Sequence, residues 1–189
     1  MSGGWRGNAK KSEEKRRKKD KRLNPMREIR IEKITLNIGC GSTKDPKQAK
    51  LLLEQITGQK AVITRTHKRT TFGMSKGREI GAKVTIRRNC EALLRRLLEA
   101  VDNKLKTSQF DEHGNFAFGI PEYILIPGMK YNPDIELFGL DVCVTLERPG
   151  YRVKRRSKRK TSVGKRHLIT KQEAIEWVKK KFNVQIIEN

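Results

Sequence analysis

The chain has 189 residues, of which 35% are hydrophobic, 34% charged and 6% aromatic, with a formal net charge of +23 and a pI near 10.3. No apolar stretch approaches the roughly 20 residues that a bilayer-spanning helix needs, and the N-terminus has no apolar leader core, so a soluble, unprocessed chain is expected and a membrane protein excluded. Three cysteines some fifty residues apart, Cys40, Cys90 and Cys143, with no C-x-x-C pair and no adjacent histidines, exclude a zinc site and a disulfide framework; buried, reduced thiols of a cytosolic protein are expected.

The charge is unevenly divided. Residues 1–30 hold 12 basic and 4 acidic side chains, 60–96 hold 11 and 2, and 148–166 hold 10 and none. Residues 97–147, by contrast, hold 3 basic against 9 acidic side chains. This is a folded body carrying basic surfaces, and such surfaces suit a polyanion, nucleic acid above all. Scarce aromatics favour grip on backbone and shape over base stacking.

Met1 to Leu23 is too polar to offset its ordering entropy and reads as a disordered basic arm, either solubilising or ordering on RNA. Residues 24–189 read as a single α+β domain that includes the basic segment 148–166. From Lys33, Ile34, Leu36 and Ile38 alternate with Lys33, Thr35 and Asn37, the pattern of a half-buried strand. Asp45-Pro46 then supplies an N-cap and a first-turn proline, Ala49, Leu52, Leu53 and Ile56 one apolar stripe, and Gly58 a C-cap, which predicts a helix over 46–57.

Ala61 to Thr66 predicts a second strand, and Ile80, Ala82, Val84 and Ile86 a third, with the basic stretch His67 to Glu79 looping between them. Asn89 is placed to cap a second helix, whose inner side would run from Leu93 through Val101 to Leu105. A short strand at Phe116 to Ile120, irregular chain through Asn132-Pro133 and a last strand over Leu140 to Leu146 follow. Thr170 to Glu173 is a capping box that opens a helix to about Lys181, with Ile175 and Val178 inward, and Phe182 to Ile187 is expected to pack back.

This order predicts a mainly antiparallel sheet with helices on one face. The other face would then display Lys33, Thr35 and Asn37 beside Lys83, Thr85 and Arg87, short hydroxyls and an amide among cations, suited to phosphates and 2′-hydroxyls. The topology is like that of an RNA-recognition motif, yet the strands expose no aromatic for bases to stack on. Gly39 to Lys44 imitates a phosphate loop, but Ser42-Thr43 precede Lys44 and the G-K-[ST] spacing is missing. His67, His113 and His167 lie in polar loops with no evident nucleophile or carboxylate, so no catalytic residue, metal ligand or cofactor site is expected.

Ile31 to Gly39, Ile56-Thr57-Gly58-Gln59-Lys60, Phe72-Gly73, Ile80 to Thr85, Phe118-Gly119-Ile120 and Phe138 to Val142 closely resemble the large-subunit ribosomal protein L5 family over about residues 24–187. Leu146 to Gly150, the basic block after it and Ile169 to Ala174 are similar to the archaeal and eukaryotic branch. The resemblance implies a non-enzymatic ribosomal protein of the central protuberance, monomeric within the ribosome, which binds 5S ribosomal RNA on its open sheet face. The residues carried to that surface are Lys33, Thr35, Asn37, Gly39, Gln59, Lys60, Thr64, Arg65, Lys68, Arg69, Lys83, Thr85 and Arg87, with Lys68 and Arg69 open to either RNA surface. It also implies that the loop Phe72, Gly73, Met74, Ser75, Lys76, Gly77 and Arg78 reaches P-site transfer RNA, and that a small-subunit head protein of the S13 family is met across an intersubunit bridge. Arg152, Lys154, Arg155, Arg156, Lys158, Arg159 and Lys160 are expected to anchor on large-subunit RNA. The competing expectation is a nucleic-acid chaperone or compaction protein that binds without selectivity.

Overall fold

The computed structural model describes residues 24–41, 44–69, 75–133 and 135–187; the arm expected over Met1 to Leu23 lies outside the described residues. The chain is α+β, as its patterning predicts, and its contacts group it into two compact units, one of Ile31–Leu146 with Thr170–Asn189 and one of Met1–Arg30 with Glu147–Ile169.

The larger unit is built on a five-stranded sheet. Strand β1 (Arg30–Gly39) alternates as expected, burying Ile34, Leu36 and Ile38. Helix α1 (Pro46–Thr57) starts where the Asp45 carboxylate accepts the Lys47 amide at 3.0 Å and stops at Gly58, whose φ of 65° reverses the chain. Its stripe of Ala49, Leu52, Leu53 and Ile56 is buried, and it packs on β2 (Val62–Arg65) and β3 (Glu79–Ile86). Replacing any of these leucines by alanine would cost about 2–5 kcal/mol, because the neighbours can only partly close the hole.

Two local expectations are corrected after β3. Asn89 stands at the N-terminus of α2 (Cys90–Glu99) but makes no capping bond; it is held at φ 55°, a left-handed turn that asparagine tolerates, to redirect the chain out of the strand. The helix also ends at Glu99 and does not reach Leu105. Asp102 and Asn103 take φ 53° and 54°, which breaks the helix, and buried Leu105 belongs instead to β4 (Lys104–Lys106).

Strands β5 (Phe116–Ile120) and β6 (Leu140–Glu147) are antiparallel partners, and the sheet order is β2-β3-β1-β6-β5, which puts β1 in the middle. The smaller unit contains a one-turn helix, α3 (Arg152–Arg155). The larger unit closes with α4 (Lys171–Phe182) and β7 (Gln185–Ile187). At α4 the Thr170 hydroxyl accepts the Glu173 amide at 3.4 Å while Glu173 accepts the Thr170 amide at 3.1 Å, the capping box read from the sequence. Ala174, Val178 and Phe182 form its buried side, and Ile175, expected inward, is only half-buried. Strand β7 pairs in parallel with β4 in a separate two-stranded sheet, the way the apolar C-terminal run packs back.

Candidate nucleic-acid interface

Register decides what the open sheet face offers. β1 and β3 are antiparallel with Asn37 opposite Lys83 and Thr35 opposite Thr85. Cross-strand partners share a face, and these four lie on the side away from buried Ile34, Leu36 and Ile38. Lys33 precedes them along β1, and Arg87, exposed, lies just past the end of β3. Lys83 and Thr85 are exposed, while Lys33, Thr35 and Asn37 are half-exposed in the floor between the flanking strands.

Strand β2 adds to this face through a fault in its pairing. Val62 is opposite Lys83 and Thr64 opposite Gly81, but the register then shifts and Arg65 lies opposite Glu79. Strict alternation would send Arg65 to the helix side, away from Thr64. The bulge turns both residues onto the open face. There the Arg65 guanidinium donates to the Glu79 carboxylate at 2.9 Å while most of its side chain stays in solvent. An exposed pair of this kind is worth little to stability. It fixes the direction of the guanidinium more than it neutralises it.

Between these side chains lies a bare strip. Gly39 pairs with Gly81, and Gly81 with Thr64, so two of three neighbouring strands carry no side chain in that row. A Cβ on Gly39 would meet nothing within 4 Å, whereas one on Gly81 would lie 2.2 Å from the Ile38 carbonyl oxygen. Backbone is thus exposed at Gly39, beside Asn37 and Lys83, whereas Gly81 is buried between the Ile38 carbonyl and the Thr64 hydroxyl. The half of the face on β6 and β5 differs: Asp141 lies opposite Gly119 and Cys143 opposite Ala117, with no cation among them. Cys143 is exposed, which corrects the expectation of three buried thiols; outward alternation on β6 places it there. Its thiol is nevertheless pushed up, by the protein surrounding it and then by Asp141, and burial raises Cys40 and Cys90 likewise.

The basic loop leaves this surface through a closed neck. The Thr66 amide donates to the Arg78 carbonyl and the Gly77 amide to the Thr66 carbonyl, each at 2.9 Å, and the buried Thr66 hydroxyl donates to the Ser75 carbonyl at 2.7 Å. Sequence reasoning placed Thr66 at a strand end and missed this role; a threonine where alternation demands an apolar residue was the available signal. Lys68, Arg69, Ser75, Lys76, Gly77 and Arg78 are exposed around the neck, and Phe72, Gly73 and Met74 lie outside the described residues. Gln59 and Lys60 are exposed just past the end of α1.

The loop after β1 is used internally. The Cys40 amide donates to the Ile80 carbonyl and the Lys44 amide to the Cys40 carbonyl, and the Lys44 ammonium donates to the Leu137 carbonyl while lying over the Phe138 ring at 5.0 Å. Two amides and the lysine that would cradle a phosphate therefore hold the fold together. In the smaller unit, Arg152, Lys154, Arg155, Arg156, Lys158, Arg159 and Lys160 are all exposed, with Arg155 donating to Glu147 at 2.6 Å. Among the described residues no three histidine, cysteine or acidic side chains gather in a metal-binding group.

The chain is similar to known proteins over most of its length. Residues 24–71 match the family of ribosomal protein L5, and residues 79–177 match the model of that ribosomal family's C-terminus. The large ribosomal subunit protein uL5 of Sulfurisphaera tokodaii is 49% identical over 171 residues, spanning 88% of this chain and 96% of its own length. The protein of the same name from Nanoarchaeum equitans is 50% identical over 167 residues, 86% of this chain and 98% of its own, and that of Nitrosopumilus maritimus is 48% identical over 166, 86% and 95%.

Proposed function

The chain belongs to the ribosomal protein L5 family, as a structural and non-enzymatic constituent of the large ribosomal subunit, and from this we propose that it holds 5S ribosomal RNA on the β2-β3-β1 half of its open sheet face. The observation that carries this reading is the register that sets Asn37 beside Lys83 and Thr35 beside Thr85 on one solvent-facing surface. Lys33, Arg87, Thr64, Arg65 and the exposed backbone at Gly39 extend it; Gln59, Lys60, Lys68 and Arg69 stand at its margins.

The chemistry is that of an RNA backbone. Lysine and arginine attract phosphates, while threonine hydroxyls and the Asn37 amide both donate and accept, as a 2′-hydroxyl requires. No aromatic ring stands among them, so contact is made with sugar, phosphate and groove edge. The acidic Asp141 on β6 bounds the surface on one side. Around the loop neck, exposed Lys76 and Arg78 supply a second surface, and the loop Phe72 to Arg78 to which they belong is the proposed contact with P-site transfer RNA. A small-subunit head protein of the S13 family is the further partner across the intersubunit bridge.

Replacing Asn37 and Thr85 by alanine removes hydrogen-bonding groups without opening the core, since neither is buried. At about 0.5–1.5 kcal/mol for each bond lost, 5S RNA affinity falls roughly tenfold or more while the unfolding midpoint holds. Unchanged affinity at matched salt would place the RNA elsewhere.

A further inference from the structure

The densest charge of the chain lies on a loop of fixed shape. Residues 148–166 hold ten basic side chains and no acidic one, and nine of the ten are exposed while Arg148 is buried. Like charges crowded on one loop repel, so an untethered chain would spread them. This loop is tied at its neck and braced along its length.

The neck is built on the buried arginine. Arg148, 3% exposed, donates through Nε to the Arg27 carbonyl at 3.1 Å and through Nη1 to the His167 and Leu168 carbonyls at 3.2 and 3.1 Å. It thereby joins both ends of the loop to the short turn Pro25–Arg27, which Asn24 caps by accepting the Met26 amide at 2.9 Å. The Tyr151 hydroxyl donates to the His167 carbonyl at 3.3 Å and accepts the Ile169 amide at 3.2 Å, and His167 Nε2 donates to the Pro149 carbonyl at 2.9 Å. Gly150 turns the chain at φ 96°, and a Cβ there would lie 3.4 Å from the Met26 methyl.

The loop beyond the neck is also held in shape. The Arg156 amide donates to the Arg152 carbonyl at 2.9 Å and the Thr161 amide to the Val153 carbonyl at 3.3 Å. Arg156 Nε donates at 2.8 Å to the carbonyl of Arg159, itself held at φ 50°. Lys154, Lys158, Arg159, Lys160, Lys165 and Arg166 therefore stand exposed on a backbone that is already folded. Tyr151, the aromatic residue of the segment, is committed to the neck, with its ring edge-on to His167 at 5.8 Å. No ring is left for an unpaired base to stack on, while cations at set positions suit the regular phosphate rows of a duplex.

We propose that the 152–166 loop is a prefolded grip for the phosphate backbone of an RNA duplex, and that Arg148 is its positioning residue, shaping the grip without touching RNA. The polyanion offsets the repulsion that the neck holds in place. Because the frame is folded before RNA arrives, the loop gives up little ordering entropy on binding. Affinity without sequence preference is the result, independent of how the sheet face recognises its own RNA.

The test titrates the full-length chain, across a salt series, with a short RNA duplex of arbitrary sequence and with one of its strands alone. One variant changes Lys158, Arg159 and Lys160 to glutamine. Two others loosen the neck at constant charge: Arg148→Lys, which loses the planar fork, and Tyr151→Phe, which loses only a hydroxyl and keeps the ring that packs there. Every substitution lies within 148–160, so whatever the rest of the chain contributes is unchanged. The glutamine variant should lose about tenfold in duplex affinity at ~0.15 M salt, with the log–log slope flattened by about 0.9 for each phosphate contact removed. The neck variants should lose about three- to tenfold with the slope kept, because the phosphate contacts remain and only the order of the loop is lost. Hydrogen exchange in the free chain should show the Thr161 amide protected in the parent and faster in both neck variants. Parent affinity in the glutamine or the Tyr151→Phe chain overturns the proposal, as does an unprotected Thr161 amide in the parent or equal affinity for the single strand. Because the probe is not 5S RNA and the sheet is unaltered, failure here leaves the sheet-face reading standing, and failure there leaves this one.

Discussion

Gly81 shows how one residue serves both the fold and the surface. Its missing side chain lets β1 and β3 pair closely, since a Cβ would lie 2.2 Å from the Ile38 carbonyl oxygen, and backbone cannot yield as a flexible side chain would. Gly81→Ala is therefore expected to part the two strands and lower stability by about 1–3 kcal/mol, read as a shifted urea midpoint. Gly39→Ala, whose new methyl meets nothing within 4 Å, leaves that midpoint in place and serves as the control. Equal midpoints for Gly81→Ala and the parent chain would show that the strands can absorb the methyl. Arg148 is the counterpart among charged residues: inside the densest basic block, it is buried and bonds to main-chain carbonyls.

At the level of elements, alternation and capping were legible wherever a local rule acts alone. Asp45-Pro46 through Gly58 marked α1, and the capping box at Thr170 marked α4, because each end is set by groups within four residues of it. Asn89 misled because asparagine serves equally as a cap and as a left-handed turn residue, and only the direction of the following chain chooses between them. Val101 and Leu105 misled because they keep helical spacing across Asp102 and Asn103, whose left-handed φ ends the helix. The β2 bulge was illegible because it depends on which residue of β3 faces Arg65. The open face was read correctly from Lys33, Thr35 and Asn37, but the inclusion of both Thr64 and Arg65 follows from that bulge.

The loop between β2 and β3 has a closed neck, so its charges can be altered without touching the sheet. Lys76→Ala with Arg78→Ala is expected to leave 5S RNA affinity within about twofold, because exposed side chains off the surface contribute little. On the proposed contact, the same pair is expected to lower P-site transfer RNA occupancy in assembled ribosomes, measured by filter retention. Undiminished occupancy would remove the loop from the transfer RNA surface.

Over the whole molecule, the densest charge lies apart from the sheet face on which recognition is proposed. Residues 148–166 carry ten basic side chains and no acidic one, whereas the sheet face presents the hydroxyls of Thr35 and Thr85, the Asn37 amide and the exposed backbone at Gly39. Sequence counting showed where the basic residues cluster. It did not show that Arg27 and the segment after β6 belong to one unit, because the bond joining Arg148 to Arg27 spans 121 positions. General affinity for polyanions should therefore track the smaller unit, and selectivity for one RNA should track the sheet.

Retention of labelled 5S RNA against a large excess of unlabelled random duplex RNA measures that separation most directly. The parent chain and the Lys158/Arg159/Lys160→Gln variant should both keep 5S RNA in preference to the competitor, the variant with lower affinity for each. The Asn37→Ala/Thr85→Ala variant should lose the preference while still binding the competitor. If the sheet variant keeps its preference, or the loop variant alone loses it, recognition does not reside on the sheet face and the account is contradicted.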